Sequence, residues 1–173
     1  APFFKTQLPA ETISALTRCA LAIRRACPDL TLGINALRND ALSALGIASV
    51  VGAQFIRVNV LTGAMVTDQG IIEGCSAELI RKRAQLAPEV AIFADVAVKH
   101  AEPLAPLNLI QAARDTAFRG RADALIVSGS GTGMPVDLND VAQVRSACPE
   151  HPVFIGSGTT LESACAEDAD GFI

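Results

Sequence analysis

The sequence of 173 residues has no tryptophan and no tyrosine, and all seven of its aromatic residues are phenylalanine. It also has no block of lysine and arginine, because 14 basic residues are scattered among 18 acidic ones for a net charge of −4. Nucleic-acid binding depends on basic surface, and single strands also need aromatic side chains on which bases stack. The composition therefore predicts that nucleic acid is not a partner.

Long apolar runs are missing as well. No stretch approaches the roughly 18 residues that span a bilayer, and no basic segment followed by an apolar one opens the sequence. The five cysteines contain no C-x-x-C pair, and most stand among small apolar residues, as buried reduced thiols do. These absences predict a cytoplasmic protein without a transmembrane segment. The cysteines are Cys19, Cys27, Cys75, Cys148 and Cys165.

What is present is a regular alternation of predicted helices and strands. Half of the residues are hydrophobic, enough for one sizeable core. Helical periodicity and short apolar runs alternate along the chain, which predicts βαβ units with parallel strands and places the protein in the α/β class. Helices are predicted at 9–27, 40–51, 76–87, 107–119, 138–148 and 160–167, and strands at 30–35, 55–60, 90–98, 124–128, 153–156 and 171–173.

The pattern within one strand favours a TIM barrel over an open doubly wound sheet. In the strand 55–60, Arg57 and Asn59 share one face while the other face is apolar. A strand covered by helices on both sides is apolar on both faces, whereas a barrel strand carries polar groups into the lumen near its carboxyl end. Asn35, Asp95, Lys99 and Ser128 stand at comparable strand ends. We expect these side chains to converge at one end of the barrel.

Both ends of the sequence are unusual for a complete barrel. The first predicted element is a helix with no strand before it, and the last is an apolar segment that reads as a buried strand. We expect residues 1–173 to form a single incomplete barrel domain of a longer chain. Its first and last strands would then leave a gap.

Two glycine-rich loops are the strongest local signal. Residues 128–133 and 156–160 each follow a strand and combine glycines with hydroxyl side chains, a composition typical of loops whose backbone N–H groups hold phosphate. Neither loop is a dinucleotide fingerprint, because Met134 and Leu161 occupy the third glycine position. The alternative is a pair of flexible turns. The predicted phosphate-binding residues are Ser128, Gly129, Ser130, Gly131, Gly156, Ser157 and Gly158, and a bulky residue at Gly156 or Gly158 is expected to weaken phosphate binding while leaving the fold intact.

Charged residues at two neighbouring strand ends are the candidates for chemistry. Asp95 and Lys99 share a face of an extended run, so Lys99 is a candidate general base, imine former or phosphate contact, with a plain ion pair as the alternative. Arg57 and Asn59 suit carboxylate or hydroxyl groups, although a structural Arg57–Asp95 pair fits equally well. No metal or cofactor is predicted, because Asp68, Glu73 and His100 lack the spacing of metal ligands.

Two further segments carry simpler expectations. The connection 61–75 is longer than the usual βα loop and polar at its centre, which is typical of a lid, with a surface excursion as the alternative. His151 precedes a strand, so we expect it at the opposite end of the barrel and exposed.

Segments 33–40, 55–60, 62–70, 93–100 and 127–133 together resemble the BtpA family over nearly the whole chain. Ala36 is a small departure, since relatives tend to have valine there. The resemblance implies a TIM barrel of the ribulose-phosphate-binding type, with this sequence covering about its third to eighth strands. The family is named for a cyanobacterial protein linked to photosystem I biogenesis at the thylakoid surface, so peripheral membrane contact is implied by analogy alone. Similar sequences also occur in organisms without photosystems.

Two functional hypotheses follow. The first is an isomerase, epimerase or lyase that binds a phosphorylated sugar or phosphoribosyl compound, in a homo-oligomer and without a cofactor. The second is a non-catalytic factor for photosystem I biogenesis or another assembly role. Polar groups that converge on one ligand favour the first, and an exposed apolar outer patch favours the second. The predicted catalytic residues are Asn35, Arg57, Asn59, Asp95 and Lys99.

Overall fold

The computed structural model of the chain describes residues 3–129, 131, 133–160, 164 and 168–173. Within these residues a curved parallel sheet carries helices on one face. The helices are α1 (Ala10–Ala26), α2 (Ala41–Val51), α3 (Ser76–Leu86), α4 (Leu109–Arg114) and α5 (Leu138–Ala147). The strands are β1 (Gly33–Asn35), β2 (Phe55–Val58), β3 (Ala64–Thr67), β4 (Gly70–Glu73), β5 (Ala91–Ala97), β6 (Glu102–Pro103), β7 (Ala124–Ser128), β8 (Val153–Gly156) and β9 (Gly171–Phe172).

The order of strands in the main sheet settles the architecture. The sheet runs β1-β2-β5-β7-β8-β9, every neighbouring pair is parallel, and the order along the sheet follows the order along the chain. A doubly wound sheet reverses direction at a switch point, and this sheet does not. It is a curled half-barrel with six of the eight strands of a complete TIM barrel. In the described part of the chain its two edges are β1 and β9, so the expected open barrel is confirmed.

The convex face of the sheet forms the core with the helices. Along each strand, side chains point alternately into the lumen and toward the helices. Ile56 and Ile92 point toward the helices and are fully buried together with Leu45 of α2 and Leu79 of α3. The start of α2 is fixed by Asp40, whose carboxylate accepts the backbone N–H of Ser43 at 3.0 Å. This packing holds the carboxyl ends of the strands at fixed positions.

The long connection after β2 forms a second, small sheet. β3 and β4 make an antiparallel hairpin, and β6 pairs with the other edge of β3. Met65 and Ile72 pack under the hairpin against Val60 and Val98, which follow β2 and β5. The predicted lid is therefore an ordered hairpin that is anchored by its own apolar cluster.

Several predicted boundaries differ from the observed ones. The helix predicted at 107–119 is α4 followed by a π-helical turn, Asp115–Arg119, and the parallel strands are mostly shorter than predicted. His151 is half-buried against the ring of Phe118 rather than exposed, with ring centroids 5.1 Å apart. Most of the predicted helix 160–167 lies outside the described residues.

The cysteines also depart from expectation. Cys148 is buried, but Cys19 and Cys27 are exposed, because they lie on and just after the outer helix α1. Cys75 is partly buried, and burial raises the pKa of its thiol to about 11. Cys165 lies outside the described residues. Among the described residues, none of the helices has the length and apolar character that crossing a membrane requires.

Two positions on α2 test the packing. Leu45→Ala should lower the free energy of unfolding by about 2–5 kcal/mol, because Leu45 is fully buried and the substitution leaves a cavity. Val50→Ala on the same helix should change it by no more than about 0.5 kcal/mol, because Val50 is 67% exposed. Urea denaturation followed by circular dichroism measures both. Similar losses for the two variants would contradict the described core.

Candidate functional site

An apolar layer forms the floor of the half-barrel lumen. The ring of Phe93 on β5 stacks on that of Phe55 with centroids 4.4 Å apart, and lies 4.8 Å from the ring of Phe154 on β8. Glycines flank this layer on the outer strands. A Cβ atom on Gly33 would overlap the ring of Phe55, and one on Gly171 would overlap that of Phe154. The rings therefore fill the lumen beneath the strand ends.

A polar network lies directly above this floor, two residues further along the strands. Arg57 donates to the carboxylate of Asp95 with an Nη2–Oδ1 distance of 2.8 Å, and Asn59 Nδ2 donates to Asp95 Oδ2 at 2.6 Å. Asn35 extends the network, since its Nδ2 lies 3.1 Å from Asn59 Oδ1 and 3.0 Å from the Arg57 carbonyl oxygen. The structure thus brings four of the five predicted catalytic residues into one hydrogen-bonded group.

The charges in this network are strongly affected by burial. The side chain of Asp95 is completely buried, and that of Arg57 is 14% exposed. Burial raises the pKa of the Asp95 carboxyl, while the Arg57 guanidinium and the Asn59 amide, which donate to it, oppose that rise. The sequence left open whether Arg57 pairs structurally with Asp95, and the structure contains that pair.

Lys99 is placed differently from the expectation. β5 has a register irregularity between Asp95 and Ala97 and ends at Ala97, so Lys99 follows the strand instead of sharing a strand face with Asp95. Within the described residues the Lys99 amine makes no ion pair. Its pKa is lowered, first because the side chain is partly buried and then because Arg57 and Arg38 add positive charge, while Asp95 acts in the opposite direction. Lys99 is therefore a partly buried amine whose pKa lies below its usual value.

Ser128 and Gly156 extend the polar surface to β7 and β8. The two residues are register partners at the carboxyl ends of these strands. A Cβ atom on Gly156 would stand 2.6 Å from Ser128 Oγ and 3.4 Å from Arg57 Nη2. The Ser128 hydroxyl is buried without a hydrogen-bond partner among the described residues. Gly156 thus leaves space in which the hydroxyl and the guanidinium face a common volume.

The two glycine-rich loops touch each other. The N–H of Gly133 donates to Ser157 Oγ at 3.1 Å, and Cβ atoms on Gly129 and Gly158 would both collide with the backbone carbonyl of Met134. Ser130, one of the predicted phosphate-binding residues, lies outside the described residues. The loops are close enough to contact a single ligand.

These contacts correct one expectation about the glycines. A side chain at Gly156 would collide with Ser128 and Ile126, and one at Gly158 would collide with Met134 at a φ of +83°. Bulky substitutions at these positions would disturb local packing as well as any ligand. Gly131 is different, because a Cβ atom there would only make ordinary contacts of 3.5 Å and 3.8 Å.

Two residues after β1 were missed as site residues by sequence reasoning. Asn39 ties this segment to the end of β2, donating to the Val60 carbonyl and accepting the Val60 N–H, both at 2.8 Å. Arg38 reaches across the lumen mouth to the carbonyl oxygen of His100 at 3.2 Å. Both residues lie beyond the three-residue strand β1, in a segment with no periodicity that indicates which way a side chain points.

The acidic residues considered for a metal do not assemble. Among the described residues no group of three or more His, Cys, Asp and Glu side chains is placed to hold a metal ion. Asp68 instead accepts a hydrogen bond from Gln69 in the hairpin turn.

The BtpA family model matches residues 1–173. The chain belongs to the BtpA family. It is 52% identical over 158 residues to the Photosystem I biogenesis protein BtpA of Synechocystis, covering 91% of this chain and 55% of that protein. It is 47% identical to an uncharacterized protein of Thermococcus kodakarensis, covering 94% of this chain and 61% of that protein. The chain thus spans 55–61% of the length of these two curated relatives.

Solved structures support the same fold. KGPDC from Streptococcus mutans in complex with a phosphosugar superposes with a TM-score of 0.60 at 14% identity, covering 91% of this chain and 67% of that one. A second crystal structure of the same protein superposes with a TM-score of 0.58. This BtpA-family chain therefore has the fold of an incomplete TIM barrel, as the sequence resemblance implied.

The lowered pKa of Lys99 predicts a distinct reactivity. Neutral amines react with acetic anhydride, so the labelling rate of Lys99 should reach half its maximum at a pH below the ordinary value of 10.5. Mass spectrometry of peptides labelled at a series of pH values measures this rate, and the exposed Lys5 and Lys82 serve as references in the same sample. A midpoint for Lys99 at or above 10.5 would contradict the described surroundings of its amine.

Proposed function

We propose that this BtpA-family barrel binds a phosphorylated sugar or phosphoribosyl compound at its lumen mouth and acts on it as an isomerase, epimerase or lyase. The observation that carries the proposal is the contact between the two glycine-rich loops beside the buried Arg57–Asp95 network. A phosphate ester has one end that suits such loops and another that suits the network.

The loops form the phosphate end. The N–H groups of Gly133 and Ser157 are already used, by Ser157 Oγ and by the carbonyl oxygen of Ile173. Gly131 and Gly158 keep backbone N–H groups that make no hydrogen bond to other described residues. Amide donors at close-packed glycines approach an anion without interference from a Cβ atom. The buried hydroxyl of Ser128, which lacks a partner within the described chain, is a further donor.

The polar network forms the reacting end. Sugar-phosphate isomerisation, epimerisation and retro-aldol cleavage all need a proton acceptor and donors that stabilise the oxygen on which negative charge develops. Arg57 and Asn59 supply donors that Asp95 holds in place, while Asn35 gives both of its amide N–H groups to Asn59 Oδ1 and the Arg57 carbonyl oxygen and so positions Asn59. Lys99, whose pKa is lowered, is the proton acceptor, and Asp95 positions Arg57 and Asn59. The phosphosugar complex of the structural neighbour is in line with a ligand of this size and charge.

A second candidate is a non-catalytic assembly role, because a 52% identical relative is named for photosystem I biogenesis. The outer surface offers some apolar side chains for such a role. Val66 and Ile71 on the hairpin and Leu104 and Leu107 after β6 are exposed. An assembly factor would need this surface, whereas the enzyme needs the lumen mouth.

Substitutions at Gly131 test the phosphate site with little effect on packing. Gly131→Asp should weaken binding of D-ribose 5-phosphate by about tenfold or more, because the new carboxylate repels the phosphate at short range. Isothermal titration calorimetry measures the affinity of the variant and of the wild type.

Gly131→Ala is the matched control, since a Cβ atom fits at that position. Its affinity should stay within about threefold of the wild type, a difference of less than about 1 kcal/mol. Binding that is equal in the wild type and Gly131→Asp, or no binding of the phosphate ester to the wild type, would shift the assignment to the assembly role.

A further inference from the structure

Arg38 is a buried cation without a carboxylate partner in the described part of the chain. The residue is 7% exposed, and no acidic side chain among the described residues lies within ion-pair distance of its guanidinium. Asp40, two residues away, uses its two carboxylate oxygens on the N–H groups of Leu8 and Ser43. A buried charge without a counterion is costly, so this arrangement calls for an anion from elsewhere.

The hydrogen bonds of Arg38 are incomplete as well. Its Nη2 donates to the carbonyl oxygens of His100 at 3.2 Å and of Lys99 at 3.5 Å. Within the described residues Nε is buried without any partner, and Nη1 makes no hydrogen bond. The ring of Phe3 lies over the guanidinium, with Cζ 5.9 Å from the ring centroid. Carbonyl dipoles and an aromatic face stabilise a guanidinium, but they do not neutralise it.

The lumen mouth as a whole carries excess positive charge. Arg38, Arg57 and Lys99 are near enough for the charges of both arginines to act on the lysine amine. Asp95 is the acidic side chain that acts on the same amine, and its carboxylate is already taken by Arg57 and Asn59. One phosphate at the glycine-rich loops leaves Arg38 without a counterion among the described residues.

Arg38 and the loops stand on different sides of the mouth. The guanidinium lies beside the backbone of residues 99 and 100, which follow β5, whereas the loops follow β7 and β8. Neighbouring strands are about 4.8 Å apart, so one to two strand spacings, roughly 5–10 Å, separate the two positions. His100 contacts both sides: its carbonyl oxygen accepts a hydrogen bond from Arg38, and its Cε1 lies 3.8 Å from the position of a Cβ atom on Gly131. This separation suits the two ends of one sugar-sized molecule.

We propose that Arg38 forms a second anion subsite, and that the ligand of this barrel carries two anionic groups, as a sugar bisphosphate or a phosphorylated sugar acid does. The first group occupies the glycine-rich loops, and the second lies against the Arg38 guanidinium. This inference rests on the proposed function, because it extends the same site to a narrower class of ligand.

Calorimetric titration with matched pairs of ligands tests the second subsite. The pairs are D-ribulose 5-phosphate with D-ribulose 1,5-bisphosphate, and D-glucose 6-phosphate with 6-phosphogluconate. In at least one pair, the wild type should bind the member with two anionic groups about tenfold or more tightly than the member with one. The second group adds a charge-assisted hydrogen bond. Arg38→Met should reduce that ratio to near one while still binding the monophosphate.

The exposed Arg18 provides the matched control, since Arg18→Met removes the same charge far from the mouth. This variant should keep the wild-type ratio. If Arg38→Met fails to fold, Arg38→Gln, which keeps hydrogen-bond donors but removes the charge, should lower the ratio instead, and an unchanged ratio in that variant would overturn the subsite. Equal binding within both pairs by the wild type overturns the second subsite and leaves the phosphate site standing. Absence of binding by every phosphate ester overturns both.

Discussion

The ion pair between Arg57 and Asp95 is the interaction on which the lumen site depends. A carboxylate with no exposed surface would be very unfavourable alone, and here it accepts hydrogen bonds from Arg57 and Asn59. Both donors stand on, or just after, the strand next to that of Asp95. The pair thus links two neighbouring strands and leaves the Arg57 guanidinium facing the lumen. Asp95 also fixes the position of Asn59, whose Oδ1 accepts the hydrogen bond from Asn35. Removal of either charge would leave the other buried without an opposite charge.

A few glycines allow neighbouring side chains and backbone to pack closely around the polar network. Gly33 and Gly171 make room for the phenylalanine rings that form the floor below Arg57 and Asp95. Gly156 keeps open the volume between Ser128 and Arg57, and Gly158 lets its loop lie against the carbonyl of Met134. An apolar floor with polar groups and amide donors above it is the usual construction of a small-molecule site.

Side chains along a strand alternate between its two faces, and this alternation explains which parts of the site could be predicted from the sequence. The alternation in 55–60 correctly placed Arg57 and Asn59 in a barrel lumen, and the same reasoning brought Asn35 and Asp95 to them. Lys99 departed from its predicted strand face because a register irregularity precedes it, which no sequence pattern marks. The hairpin was read as a loop because its turn, around Asp68 and Gln69, lacks the Asn-Gly or Asp-Gly signature. The position of Arg38 depends on tertiary contacts after β1, and local sequence carries no signal for them.

Phosphate-ester binding at the lumen mouth is the claim on which the functional account rests. A crystal structure of the protein grown with D-ribose 5-phosphate tests it most directly, because it locates the ligand and its orientation together. The account predicts phosphate density against Gly131 and Gly158, with the sugar directed toward Arg57 and Lys99. Phosphate bound at another surface, with an empty lumen mouth, would contradict the account.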